Sequence, residues 1–161
     1  GGFLGLEFAL KNPKRINELI LLGIRQSFDS PALEEAKSQL KKNKKAYLYK
    51  FYLECFSEIE KQNLIWFKKN LLKDYVNRLK LKDLIEGLDY LSKAKINPES
   101  LVKINKLRIF HGLKDRVAPA KEIREMESRL PDADFVYMPE AGHLPFMQKD
   151  FRQIFYWPRT F

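Results

Sequence analysis

Cysteine, histidine and glycine are all scarce in this chain, and each scarcity removes a class of function. A single cysteine, Cys55, excludes an internal disulfide and makes a reducing compartment, the cytoplasm, the default expectation. Two histidines and that one cysteine lie far apart in sequence, so no metal-ligand cluster is read. Of the 7 glycines, Gly1, Gly2 and Gly5 crowd the start without forming a phosphate-cradling loop. No metal and no other cofactor is expected. No apolar run approaches the roughly 20 residues needed to span a bilayer, so no membrane partner is expected either. The opening Gly1-Gly2-Phe3 has neither an initiator Met nor a basic stretch leading into an apolar one, so it is not a secretory leader. It reads as a chain that begins partway through a longer sequence.

Aromatic residues are abundant instead. With 12 Phe, 7 Tyr and 2 Trp, and 45% of residues hydrophobic, the chain has the material for a packed core and is not intrinsically disordered. Its 161 residues fit one ordinary domain. Thirty basic against 21 acidic side chains leave a net charge of +9, which suggests a basic patch or an acidic partner and says nothing about fold.

Periodicity divides the chain into three zones, 1–29, 30–100 and 101–161. In the first, Phe3, Leu4, Phe8 and Leu10 suit a short buried helix closed by Asn12-Pro13. Leu19-Ile20-Leu21-Leu22, stopped by Gly23, is an apolar run without alternation, as in a parallel strand covered on both faces. The second zone starts a helix at Ser30-Pro31, with Glu34-Glu35 at the positive end of its dipole. Leu48, Phe51, Tyr52, Cys55, Phe56 and Ile59 recur at helical steps, as do Leu64 to Leu79 and Leu84 to Leu91, which gives three or four amphipathic helices and no strand. Asn97-Pro98-Glu99-Ser100 is read as the turn that leaves it. The third zone alternates again: a strand at Leu107–Phe110 ending in His111-Gly112, a helix opened by Pro119, a strand at Phe135–Met138, and a last helix near Phe151. The expected architecture is α/β, parallel strands with flanking helices and an inserted helical segment, without internal repeats.

Catalytic groups in such sheets sit on loops beyond the carboxyl ends of strands. Asp115 and His143 occupy two successive loops of this kind, and a carboxylate orienting an imidazole is the base half of a nucleophilic triad. Taken alone, the pair is weak evidence, and a capping aspartate with a surface histidine is the commoner arrangement. The surrounding residues extend the pattern. His111-Gly112-Leu113-Lys114-Asp115-Arg116-Val117-Ala118-Pro119 resembles the acid segment of the α/β-hydrolase superfamily, H-G-x-x-D-x-x-x-P. Pro139-Glu140-Ala141-Gly142-His143-Leu144-Pro145-Phe146 resembles its histidine loop, and Gly1-Gly2 followed by Ala9-Leu10, Asn12-Pro13 and Leu19–Leu22 resembles the stretch after its nucleophile elbow, G-x-S-x-G-G. The resemblance implies the C-terminal portion of an α/β-hydrolase fold, a serine hydrolase of carboxylic esters, and catalytic roles for Asp115 and His143. It places the serine two residues before Gly1, so the chain by itself is expected to be inactive.

The resemblance also implies that the helical segment is the cap over the acyl pocket. Leu84-Ile85-Glu86-Gly87-Leu88-Asp89-Tyr90-Leu91 is similar in outline to the end of the cap in the pimeloyl-[acyl-carrier-protein] methyl ester esterases, which serve biotin biosynthesis and dock an acidic carrier protein. The partners implied are a small-molecule ester or an ester borne on an acyl carrier protein. Between Pro31 and Lys95 there are 15 Lys and Arg against 9 Asp and Glu, and Lys37, Lys41, Lys42, Lys44, Lys45 and Lys50 run without an intervening acid. Three alternatives stand beside this one: a general small-ester hydrolase, a non-catalytic basic helical binding module, and a catalytically dead remnant. Nucleic acid is not expected as the partner, because no recognised motif is present and the charge lies in the lid segment. His111, which ends a strand, is read as structural, and Cys55 as a buried thiol.

Overall fold

The computed structural model describes residues 1–156. Strands β1 (Leu19–Leu22), β2 (Leu107–Gly112) and β3 (Asp134–Met138) form one parallel sheet in the order β1-β2-β3. Leu21 pairs with Ile109, and Phe110 with Val136. The central strand is covered on both faces: Ile109, Phe110 and His111 have no exposed surface, which is why the strand sequences lack alternation. One face packs on α1 (Gly2–Lys11) and, further along, on the helix between β2 and β3, through Leu6, Ala9, Leu21, Ile109, Ile123 and Met126. The other holds Phe110, Met138, Ala141 and Phe151.

Helix α1 lies where its residues place it, but on a different stripe from the expected one. It buries Phe3, Leu6 and Ala9, three residues apart, and turns Leu4 and Phe8 out to 59% and 48% exposure. Between β1 and β2 come α2 (Ser30–Glu54), α3 (Lys61–Asn70), α4 (Leu72–Arg78), α5 (Leu81–Leu91) and α6 (Pro98–Leu101). The last of these occupies the expected turn. Asn97 caps it, its side chain accepting the Glu99 N–H at 3.1 Å, which converts a turn signal into a one-turn helix. Helix α2 is broken at Asn43, whose backbone is extended (φ −158°, ψ 88°) and whose Oδ1 accepts the Ala46 N–H at 3.0 Å. Asn43 is thus an internal N-cap for the second half of the helix. The helix stops at Glu54, so Ile59 falls on an exposed turn rather than on its buried face.

The helical segment has its own core, built from Leu40, Leu48, Cys55, Phe56, Phe67, Leu72 and Val76. Tyr52, Phe67 and Tyr75 stack among themselves at centroid distances of 5.3 to 6.0 Å. Its two ends are fastened together: Ser27 and Lys95 form an antiparallel bridge, and the Ile96 N–H donates to the Gln26 carbonyl at 2.8 Å. Two lysines of the basic run are committed inside the chain. Lys37 is buried between Glu34 (2.6 Å) on its own helix and Asp89 (2.5 Å) on α5, and Lys44 donates to the Leu79 carbonyl at 2.6 Å. Lys41, Lys42, Lys45 and Lys50 stay exposed.

Helix α7 (Ala120–Glu127) joins β2 to β3, and α8 (Phe151–Tyr156) follows the histidine loop. At the exit of β2, Gly112 lies against the loop after β3. A Cβ there would meet the Gly142 carbonyl oxygen at 2.1 Å and the Ala141 oxygen at 2.3 Å, both main-chain atoms that cannot swing aside. Gly112→Ala is therefore expected to destabilise the fold by about 1–3 kcal/mol, since overpacking against backbone forces the two loops apart. Thermal unfolding followed by circular dichroism would show a fall of roughly 2–4 °C per kcal/mol in a chain of this size.

Candidate active site

Strands β2 and β3 end side by side, and each continues into a loop that delivers one titratable side chain. After β2 the chain turns at Gly112–Lys114 and buries Asp115, whose carboxylate has no exposed surface. Its Oδ1 accepts the N–H groups of Val117 and Ala118, both at 2.8 Å. This is the short aspartate turn that precedes α7, and it fixes the carboxylate before any partner arrives. Its other oxygen, Oδ2, lies 2.9 Å from His143 Nδ1. The two residues proposed from the sequence, 28 positions apart, are thus in direct hydrogen-bond contact.

That contact sets the tautomer. A carboxylate can only accept, so Nδ1 carries the proton and Nε2 presents its lone pair. Among the described residues Nε2 has no hydrogen-bond partner, and the side chain retains 24% exposure. Two further features hold the ring. The His143 N–H donates to the Cys55 carbonyl at 2.8 Å, and Gly23 lies against the ring and the His143 main chain. Gly23 adopts φ +55°, and a Cβ on it would sit 2.7 Å from the His143 carbonyl oxygen and 3.1 Å from Nδ1. Only glycine meets both demands, the left-handed backbone and the close approach.

The same loop after β1 touches the start of α1. Ile24, next to Gly23, packs its side chain 3.6 Å from the position of a Cβ on Gly2. The His143 ring and the first turn of α1 therefore flank one loop, Gly23-Ile24.

His111 is buried beneath the pair with a structural role. Its Nε2–H donates to the Ala118 carbonyl at 2.8 Å, and Nε2 is 3.8 Å from Asp115 Oδ2. Burial holds its imidazole below the usual histidine range, only partly offset by the Ala118 carbonyl and the Asp115 charge. Cys55 is buried, and burial, with smaller contributions from Asp115 and Glu54, pushes its thiol up to about 12. It remains a thiol at neutral pH and is no nucleophile. A groove of about 430 Å³ opens between Ser57–Ile59 and Leu113–Arg116, crossed by an Arg116–Glu58 ion pair at 2.6 Å. His143 does not line it, so it is separate from the imidazole's open face. Among the described residues no three metal-ligating side chains converge, and no helix is long and apolar enough to cross a membrane.

One contributor had no signal in the sequence reading. Glu60, on the turn before α3, is buried and accepts the Gly142 N–H at 2.8 Å, directly before His143. Nothing in a lone glutamate between two helices marks it; only the close approach of that turn to the histidine loop gives it a role.

No protein-family model matches the chain. Solved structures do. A thermophilic esterase from Thermogutta terrifontis superposes with a TM-score of 0.77 at 20% identity, over 94% of this chain and 58% of its own. An esterase from Exiguobacterium antarcticum does so with a TM-score of 0.75 at 22% identity, over 96% and 60%. The chain carries an α/β-hydrolase fold. An enol-lactonase from Burkholderia xenovorans shares it as well, with a TM-score of 0.74 at 15% identity. In sequence, the chain is 27% identical to the pimeloyl-[acyl-carrier protein] methyl ester esterase of Nitrosomonas europaea, over 91% of this chain and 62% of that protein. The chain thus spans about three fifths of the length of these relatives.

The buried His111 gives the fold a pH signature. Its imidazole titrates lower folded than unfolded, so between the lowered value and about 6.5 the unfolded chain binds more protons. Stability contributed this way is complete above about pH 6.5 and falls as pH drops, by up to about 1.4 kcal/mol per pH unit. Urea melts at pH 7.5 and 5.5 should show this loss. His111→Gln, which keeps a donor for the Ala118 carbonyl but cannot titrate, should flatten it.

Proposed function

We propose that the whole protein is a serine hydrolase of carboxylic esters in which Asp115 and His143 supply the acid and the base. The observation that carries this reading is the 2.9 Å contact between a fully buried, pre-fixed Asp115 carboxylate and an imidazole whose Nε2 is left open. The nucleophile is proposed to be a serine two residues before Gly1, at the head of α1. In support, the first turn of α1 and the His143 ring flank the same Gly23-Ile24 loop. The esterase names of the structural neighbours agree with this chemistry.

The reaction follows from the tautomer. Nε2 takes the proton of the serine hydroxyl as its oxygen attacks the ester carbonyl. The imidazolium formed is stabilised by Asp115, which accepts from Nδ1–H throughout and is not itself protonated. Nε2–H then protonates the departing alkoxide, and in the second half the same nitrogen activates a water against the acyl-enzyme. In the whole protein, His143→Ala is expected to lower kcat/KM on a p-nitrophenyl ester by at least about 10³-fold, and Asp115→Asn by a comparable factor, because it favours the wrong tautomer. A His143→Ala loss within about tenfold overturns the assignment, and so does the absence of a G-x-S-x ending at Gly1.

For substrate, we infer an ester of the pimeloyl-[acyl-carrier-protein] class, with the helical segment as a cap that docks the acidic carrier. The 27% identity to the Nitrosomonas europaea enzyme supports this, as does the exposed lysine set on α2. Lys37 and Lys44 are excluded from such a surface by their internal bonds. Reversing Lys41, Lys42 and Lys45 to Glu should slow action on a carrier-bound ester several-fold, increasingly as salt is lowered, and leave a small ester unchanged. Equal rates on both substrates in wild type and variant would favour a general small-ester hydrolase.

A further inference from the structure

The loop that carries His143 is not held by the sheet alone. The helical segment reaches down to it between Cys55 and Glu60 and makes four hydrogen bonds there. The Cys55 carbonyl accepts the His143 N–H at 2.8 Å, and Ser57 Oγ donates to the Glu140 carbonyl at 2.6 Å. Glu60 Oε2 accepts the Gly142 N–H at 2.8 Å and the Ser57 N–H at 2.7 Å. Its Oε1 accepts from Gln148 Nε2 at 2.6 Å, beyond the short helical turn Pro145–Met147. Glu60 is 5% exposed, so this is a buried carboxylate with three N–H donors turned toward it, two of them, from Gly142 and Gln148, on either side of His143. Gly142 sits so close that a Cβ would lie 2.5 Å from the Cys55 oxygen.

A buried carboxylate is costly to keep, and a purely structural bond to one amide does not require it. Here the same group grips residue 142 and residue 148 while it closes the Ser57 turn from which the helical segment contacts the loop. We propose that Glu60 is a positioning residue for His143: it fastens the histidine loop to the cap, so that the imidazole reaches Asp115 only when the cap is seated. The catalytic part of this proposal rests on the ester-hydrolase reading above; the geometric part does not.

The test uses the fact that the chain has only two histidines, in opposite tautomers, with Nε2–H on His111 and Nδ1–H on His143. Long-range ¹H–¹⁵N spectra separate these patterns without any activity measurement. In Glu60→Leu, the Gly142 and Ser57 amides lose their acceptor. The His143 pattern should shift toward a tautomer mixture while His111 stays unchanged as the internal control. Glu60→Asp, which keeps the charge but withdraws it by one methylene, should move His143 in the same direction and covers the case where the leucine variant does not fold. Glu60→Gln should restore the wild-type pattern, because its amide oxygen can accept both N–H groups while Gln148 flips to offer its own oxygen.

In the whole protein, kcat should fall about 10- to 100-fold in the leucine or aspartate variant with KM changed little, and recover in Glu60→Gln. A folded Glu60→Asp with the wild-type His143 pattern and wild-type kcat overturns the proposal. So does a loss of kcat that Glu60→Gln fails to restore. If the tautomer follows Glu60 while the wild-type whole protein turns over no ester, the positioning stands and the ester-hydrolase reading fails.

Discussion

The arrangement at the end of the sheet depends on a single carboxylate with no access to water. Asp115 is committed on one oxygen to two main-chain N–H groups and on the other to an imidazole. Because leaving any one of these groups without a partner costs about 1–3 kcal/mol, the loop before α7 and the loop after β3 are constrained to a common geometry. The constraint extends outward. Gly112 must lack a side chain so that the two loops can touch, Gly23 must do so to admit the His143 ring and main chain, and burial holds the His111 imidazole beneath them below the usual histidine range.

Much of this was legible in the residues, and for definite reasons. Strands β1 and β2 were legible as short apolar stretches without strict alternation, and in β2 the cause is that Ile109 and Phe110, on opposite faces, are both fully buried. Asp115 and His143 were legible because strand ends and glycine punctuation place chemistry-bearing loops, and because the short patterns around them are shared widely among α/β hydrolases. The details that were not legible depend on what packs against what. Of the expected apolar positions of α1, Phe3, Leu4, Phe8 and Leu10, Phe3 is buried while Leu4 and Phe8 are exposed, and the Phe3–Leu6–Ala9 stripe faces the sheet, since a ten-residue helix with apolar residues on most sides offers no unique face to a periodicity count. The break at Asn43 and the one-turn helix at Pro98 follow from side-chain caps, which residue spacing alone does not resolve. Glu60 was invisible for a related reason: its partners Gly142 and Gln148 lie more than 80 residues away.

The basic run illustrates how composition and structure divide a charge pattern. Six lysines in one stretch look equivalent on paper. In the fold, Lys37 is an interior strut between α2 and α5, and Lys44 ties the second half of α2 to the end of α4. The remaining exposed lysines are the ones available to another molecule, and the break at Asn43 sets Lys41 and Lys42 on one half of the helix and Lys45 and Lys50 on the other. A surface that looks like one stripe in sequence is two short facets at an angle.

The paired feet of the helical segment carry a consequence for how such a protein can change over time. Because Gln26 and Ser27 are bonded to Lys95 and Ile96, the inserted helical segment begins and ends at nearly one point. Nearly seventy residues can therefore be lengthened, shortened or exchanged without altering the pairing of β1 with β2. The segment behaves as a cassette plugged into a fixed socket, and its helices can vary while Asp115 and His143 stay where they are. Any replacement must bring back partners for the histidine loop at the places now held by the Cys55 carbonyl, Ser57 and Glu60.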